Sequence, residues 1–252
     1  MSASQTRIAP AALAALVCTL VSPAAMAQAD TSANWSITPY LWASDTGLDL
    51  TFRDTGVGSG ELSFGDLLDI LDAALMVHVE GGSGNWSGFG DLTYLKMSDT
   101  AERTVFTIDS NNRQLFFDAA VAYWPGGFGS NFNVFGGLRF SSFDDRFDFR
   151  LTANDAPVAT RSSKKDYYDA LLGLRYRFDL SERWSLLTHG DVSFGDSEGT
   201  YLLRANFAYA VGQRRLNRIM FGYQYKQAEF RDADLTTDWT YAGPMAGFNF
   251  RF

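Results

Sequence analysis

The chain has 252 residues, of which 46% are hydrophobic and 15% aromatic, and its 29 acidic against 21 basic side chains give a formal charge of −8. That composition excludes a disordered tail and a bundle of transmembrane helices. The acidic balance argues against a nucleic-acid partner, because phosphate contacts need a basic patch.

In chain order, residues 1–27 read as a signal peptide: Arg7 supplies a positive start, "IAPAALAALVCTLV" an apolar core, and Ala25-Met26-Ala27 the small residues before cleavage at Gln28. Cys18, the single cysteine, lies inside this segment, and Val17 is not the small residue that lipid attachment needs. Residues 28–252 are therefore expected to hold no disulfide, thiolate nucleophile or Cys-ligated metal. No later stretch approaches the ~18 consecutive apolar residues of a membrane-crossing helix. Export without such a helix leaves the periplasm, or a membrane crossed by strands.

The rest alternates. "RQLFFDAAVAYW" sets Leu115, Phe117, Ala119, Val121 and Tyr123 against Gln114, Phe116, Asp118, Ala120 and Ala122. "YYDALLGLRYRF" and "YLLRANFAYAV" do the same, and period two is the mark of a strand. The segments are too long for ordinary soluble strands of ~5–6 residues and suit tilted bilayer crossings of ~9–11. Ten are expected, near 33–44, 73–83, 86–98, 112–124, 131–143, 167–179, 183–194, 200–211, 217–229 and 240–252. Trp86, Tyr123, Trp124, Tyr168, Trp184 and Tyr201 near their ends match headgroup-level aromatic belts. Short turns ("GGSGN", "PGGFGSN", "LSE", "GQRRLN") alternate with longer, polar or irregular connections at 45–72, 99–111, 144–166 and 230–239, although the connection near 195–199 is short. Within these, 46–54 and 144–153 alternate and read as strand extensions above the membrane; if they cross it, the count is twelve. In the first long connection, Leu67, Leu68, Ile70, Leu71 and Leu75 have helical spacing, with Asp66 as N-cap. That helix either packs on the barrel rim or plugs the lumen.

The expected fold is all-β: a closed, antiparallel, up-and-down transmembrane barrel over residues 28–252. A sheet in hydrocarbon survives only by closing on itself. The chain ends "GPMAGFNFRF", which puts Phe248, Phe250 and Phe252 on the lipid side, and a terminal Phe resembles the signal read by outer-membrane assembly machinery. "NWSITPYLWASDTGLDL", with Trp35, Pro39, Tyr40, Leu41 and Trp42, the Asp-rich helix and "LLGLRYRFDLSERWSLLTHGDV" resemble a broad family of uncharacterised proteobacterial outer-membrane β-barrel proteins. The resemblance covers nearly all of the chain after the signal. It implies fold and location and brings no agreed activity.

Alternation also names the inward set: His78, Glu80, Asp91, Asp118, Arg139, Asp169, Arg175, Arg177, His189, Asp191, Arg204, Gln224, Lys226, Asn249 and Arg251. Inside a narrow lumen these are expected either to pair into a stiffening ladder or to line a small pore. Barrel enzymes use a His with a Ser or an acid. His78 with Glu80 and His189 with Asp191 are the pairs on offer, and an acid beside a lumen His is ordinarily only a polar contact. No His-rich or acidic metal pattern appears, and no cofactor is expected. The sequence thus favours a non-enzymatic, monomeric outer-membrane barrel, structural or a narrow passive channel for small solutes. Its partners would be outer-membrane lipid and, during biogenesis, the barrel assembly machinery. A lipid-modifying or proteolytic barrel enzyme and a surface interaction protein acting through long loops are the alternatives.

Overall fold

The computed structural model describes residues 34–52, 55–232 and 235–252, so the expected signal peptide at 1–27 lies outside the described residues. Among them are twelve strands and one helix, in chain order: β1 Asn34–Trp42, β2 Asp45–Phe52, β3 Thr55–Leu62, α1 Phe64–Ile70, β4 Leu71–Ser83, β5 Trp86–Glu102, β6 Phe106–Tyr123, β7 Phe132–Leu151, β8 Pro157–Asp179, β9 Trp184–Gly195, β10 Gly199–Val211, β11 Asn217–Asp232 and β12 Leu235–Arg251. From β4 to β12 each strand pairs antiparallel with its chain neighbour, and β12 returns to β1.

β1 and β2 together make one wall of the cylinder. Ser36–Trp42 pair with β12 from Arg251 back to Met245, and Asp45–Phe52 continue along the same strand from Ala242 to Leu235. Between them the Ala43 N–H donates to the Pro244 carbonyl at 2.9 Å. On its other edge β1 pairs with β4, Asn34–Pro39 against Gly82–Val77. That ladder stops at Pro39, which has no N–H to donate. Counting β1 and β2 as one wall and β3 as a hairpin mate outside the ring, the barrel closes with the expected ten strands.

Its outer surface is banded. On β8 the outward series Tyr168, Ala170, Leu172, Leu174, Tyr176 and Phe178 is apolar or aromatic, and Leu172 stays 52% exposed. This series spans about 11 residues, the length of one tilted bilayer crossing. Immediately above it the same face carries Asp166, Lys164, Ser162 and Thr160. The switch recurs on neighbouring strands: Tyr94 to Lys96, Leu115 to Arg113, Phe140 to Ser142, and Tyr225 to Gln227. Aromatics mark both edges of the band. Trp86 packs on Tyr123 (ring centroids 5.0 Å apart) and Trp184 on Tyr209 (4.9 Å) at the end with the short turns, while Tyr201 stacks with Tyr225 (5.8 Å) at the other. Trp124 departs from the expected belt: it points into the barrel, 9% exposed, and its Nε1 donates to Ser87 Oγ at 2.9 Å.

The long polar connections are largely strand. β5 and β6 stay paired as far as Glu102 with Thr107, and β7 and β8 as far as Arg150 with Pro157. The ladder continues where the hydrophobic alternation fades, because both faces of a ribbon beyond the membrane meet water. The expected extensions at 46–54 and 144–153 are present as β2 and the upper part of β7, with residues 53 and 54 outside the described set. β3, with glycines at 56, 58 and 60, is found only through its pairing with β2.

The helix is shorter than its Leu spacing suggests and starts differently. α1 ends at Ile70, and Leu71–Leu75 belong to β4. Ser63, not Asp66, is the N-cap. Its hydroxyl accepts from the Asp66 N–H, and the Asp66 carboxylate accepts from the Ser63 N–H, a reciprocal capping box. The Ser63 hydroxyl also donates to that carboxylate at 2.6 Å and holds its pKa below the ordinary Asp value. A carboxyl whose folded-state pKa is lowered contributes stability above the unfolded-state pKa and loses it as pH falls through the lowered value.

Two outcomes are expected. Ser63→Ala should speed local opening of α1 roughly fivefold, the scale of a lost N-cap; hydrogen exchange at Leu67 and Leu68 reads it, and acidifying the unmodified protein below the usual Asp range should have the same effect. Leu172→Arg should cost ~2–4 kcal/mol in denaturant unfolding from lipid vesicles, because it sits mid-band on the lipid face. A neutral effect would place this surface in water.

Candidate functional site

Strand parity places every expected lumen residue inward, and the structure sorts them into four groups. The first is a chain of contacts that runs from β7 and β8 across to β4, β5 and β1 and on to β10 and β11. Arg175 grips Glu80 with both terminal nitrogens, at 3.1 and 2.8 Å, and its Nε donates to Asn133 at 3.0 Å. Its guanidinium lies over the Phe89 ring, 4.6 Å from the centroid. Glu80 accepts from Ser87 at 2.8 Å and sits 3.7 Å from His78 Nε2. The other ring nitrogen, Nδ1, is 3.0 Å from Asp91. Asp91 accepts from the Tyr40 hydroxyl at 2.6 Å and lies 3.8 Å from Arg204, whose Nε donates to Gln224.

The second group centres on Arg139, only 1% exposed on β7. Its Nε and Nη2 donate to the two oxygens of Asp118 at 2.8 and 2.7 Å. Nη1 is 3.0 Å from Asp191, whose other oxygen is 2.6 Å from His189 Nε2. One cation is therefore shared between carboxylates on β6 and β9, across β8.

The third group holds turns. Asp169 accepts from the hydroxyls of Ser193 and Ser197 and from the Ser197 N–H, fixing the β9–β10 connection. Arg177 donates to the Gly129 carbonyl and to Asn131, fixing the β6–β7 connection. These two belong to turn anchoring more than to a ladder of ion pairs. Asn249 donates to Thr38 at 2.8 Å across the β12–β1 seam.

The fourth group has no anionic partner within ion-pair distance among the described residues. Lys226 lies 3.8 Å from the centre of the Phe116 ring. Arg251 lies over Phe128 at 6.0 Å. Arg218 belongs here too. It is inward on β11 and absent from the set that alternation named, although its parity with Gln224 and Lys226 could have found it.

Above the ionic level the bore is apolar. Trp42, Met76, Leu95, Met97, Phe116, Phe143, Phe230, Tyr241 and Met245 form one buried cluster, and Leu67 of α1 joins it. The rings interlock edge to face: Phe116 with Phe143 at 5.6 Å, Phe116 with Tyr241 at 5.8 Å, and Phe143 with Phe230 at 5.4 Å. α1 thus sits on the barrel's upper opening with Leu67 turned in and Leu68 left 50% exposed. Inward aromatics escape a reading by alternation, which identifies a lumen by its charges.

Below the cluster lie a small void and a larger one. One of about 30 Å³ lies among Tyr40, Trp42, Phe116, Arg139 and Lys226. That is room for a water molecule or two and no larger solute. The other, of about 190 Å³, lies at the end of the barrel with the short turns and the seam, between Thr38, His78, Arg175, His189, Arg218 and Arg251.

No family model matches the chain, and no curated protein matches it. Among solved structures it is similar to the outer membrane protease OmpT from Escherichia coli, with 10% identity over 88% of this chain and 97% of that one and a TM-score of 0.49. It is also similar to Ail, the attachment invasion locus protein of Yersinia pestis, in complex with the heparin analogue sucrose octasulfate, with 8% identity, 87% and 99% coverage and a TM-score of 0.41. A third is the toluene transporter TbuX of Ralstonia pickettii, with 10% identity, 92% of each chain and a TM-score of 0.32.

Arg139→Met should destabilise the folded barrel by ~3–5 kcal/mol in urea unfolding, since it strands Asp118 and Asp191 without their cation. Adding Asp118→Asn and Asp191→Asn should recover most of that loss. No recovery would mean that the Arg139 stem, not its charge, holds the site.

Proposed function

We propose that this chain is a monomeric, non-enzymatic outer-membrane β-barrel protein with a closed bore, a structural member of the envelope more than a passive channel. On this reading residues 1–27 direct export and are removed, the barrel assembly machinery inserts the product, and outer-membrane lipid surrounds the apolar band. The short turns and the Asn34 and Arg251 ends of the β1–β12 seam face the periplasm, and the tall hairpins β2–β3, β5–β6, β7–β8 and β11–β12 stand outside the cell. The resemblance to the proteobacterial outer-membrane family, carried by the Trp35–Trp42 segment, points the same way.

The observation that carries the reading is the sealed upper bore: Leu67 and the Phe116–Phe143–Tyr241 cluster above, and the Arg139 contacts below. A ten-stranded barrel starts narrow, and this packing leaves only about 30 Å³ at the level of Lys226. The His pairs read as parts of the lumen scaffold. Asp91 is shared with Arg204 and Asp191 with Arg139, so neither carboxylate is reserved for its His.

A second reading, surface interaction through the tall hairpins, rests on how they are built. β7–β8 is a long ladder with one irregularity, between Phe149 and Arg150, and is reinforced by Arg150 between Asp109 and Asp155 and by Arg146 on Asp148. Such a ribbon presents fixed side chains rather than a loose loop.

Planar-bilayer recording tests the main reading. The folded protein should give no conductance steps, and combining Leu67→Ser, Trp42→Ala, Phe116→Ala and Phe143→Ala should introduce them. Steps from the unmodified folded protein would overturn the closed-bore reading in favour of a narrow channel.

A further inference from the structure

We infer that the 190 Å³ cavity at the seam end of the barrel is a binding site for a small oxyanion, with Arg218 and Arg251 as its principal ligands. This goes beyond the structural reading above and holds whether or not the bore conducts. The cavity wall carries five arginines, Arg175, Arg177, Arg204, Arg218 and Arg251, against one carboxylate, Glu80.

Three of the five are already engaged. Arg175 is spent on Glu80, Arg177 pairs with Asp179 at the exposed rim at 2.9 Å, and Arg204 leans on Asp91. Arg218 and Arg251 have no carboxylate within ion-pair distance among the described residues, and Arg218 lies close enough to Arg177 and to Arg251 to be repelled by both, with Asp179 beyond ion-pair reach as the lesser attraction. An arrangement of like charges on a concave wall of low polarisability is unfavourable when empty and focuses a positive potential on the space between them. Guanidinium groups recognise planar or tetrahedral oxyanions through paired N–H donors, so phosphate, sulfate or carboxylate is the matching chemistry.

Size narrows the occupant. Sites for drug-sized molecules run to ~300–1,000 Å³, and this one is smaller. It admits an oxyanion head group with little attached to it. Phe128, against which Arg251 rests, and Trp124, beneath Arg175, give the space a partly apolar side. A free solute anion and the phosphate of an anionic lipid that reaches the barrel mouth share this chemistry.

Isothermal titration of the folded, detergent-solubilised protein with inorganic phosphate at low salt tests the site. Saturable binding of about one phosphate per chain is expected, weakened about tenfold or more by Arg218→Gln and by Arg251→Gln, the scale of one charge-assisted contact. Arg113→Gln, which touches only the exposed pair with Asp144, should leave it unchanged. Heat-dependent electrophoretic migration verifies that each variant is folded. Repeating the titration in phosphatidylcholine and phosphatidylglycerol nanodiscs separates the sources: equal affinity in both assigns the site to a soluble oxyanion, and loss in phosphatidylglycerol assigns it to a lipid phosphate. Absence of saturable binding by the unmodified folded protein, or unchanged affinity in the folded double variant, would overturn the inference.

Discussion

Every backbone N–H and C=O at the level of the hydrocarbon must find its partner within the sheet, because nothing else there can supply one. β12 is where that demand is met. It is bonded to β11 on one side from Leu235 to Asn249, and on the other to β1 and then β2. The seam is reinforced by side chains inside, with Asn249 reaching Thr38, and by reciprocal backbone bonds between Trp35 and Phe252. Closure then forces the division of faces. Outward positions meet lipid and inward positions meet one another, so the ion pairs and the aromatic cluster are consequences of the ring being complete.

The bore has two solvents stacked in it. In the lower half, polar groups are paired across strands distant in sequence, as Glu80 and Arg175 are. In the upper half aromatic rings interlock, and α1 sits over them. The charged level cannot be rehydrated from above through that packing, so its pairs depend on one another. Arg139, buried to 1% between two carboxylates, is the point where strands β6, β7 and β9 are tied.

Much of this was legible in the sequence, and the reason is physical. Within the membrane the two faces of a strand meet different media, so alternation is obligatory: Leu172 and Leu174 against Gly173 and Arg175 could be read directly. The ten crossings and the inward parity of the charged residues come from that rule alone. Where both faces meet water the rule lapses: alternation carried the reading through 144–153, but residues 99–111 and 154–166 looked like loops although they are largely strand. α1 was visible by its leucines, but Ser63 was hidden behind Asp66, which has the chemistry of a cap and the position of its reciprocal partner. The grouping of the lumen charges was not legible. Which of Asp118, Asp169 and Asp191 meets Arg139 depends on shear between strands, and parity carries no information about shear. Arg218 and Trp124 show the same limit from the other side: each is near a strand end, where a one-residue choice of boundary decides what is counted.

The difference between the banded crossings and the ribbons above them has an evolutionary corollary. Deleting one residue between Tyr168 and Phe178 would reverse the facing of the remainder of the strand, driving Arg175 and Arg177 into lipid and the leucines into the bore. In the ribbons the irregularities between Leu50 and Thr51 and between Phe149 and Arg150 show that the pairing already absorbs an odd residue. Length change among descendants of this chain should therefore accumulate at the ribbon tips, while the crossings keep a fixed count.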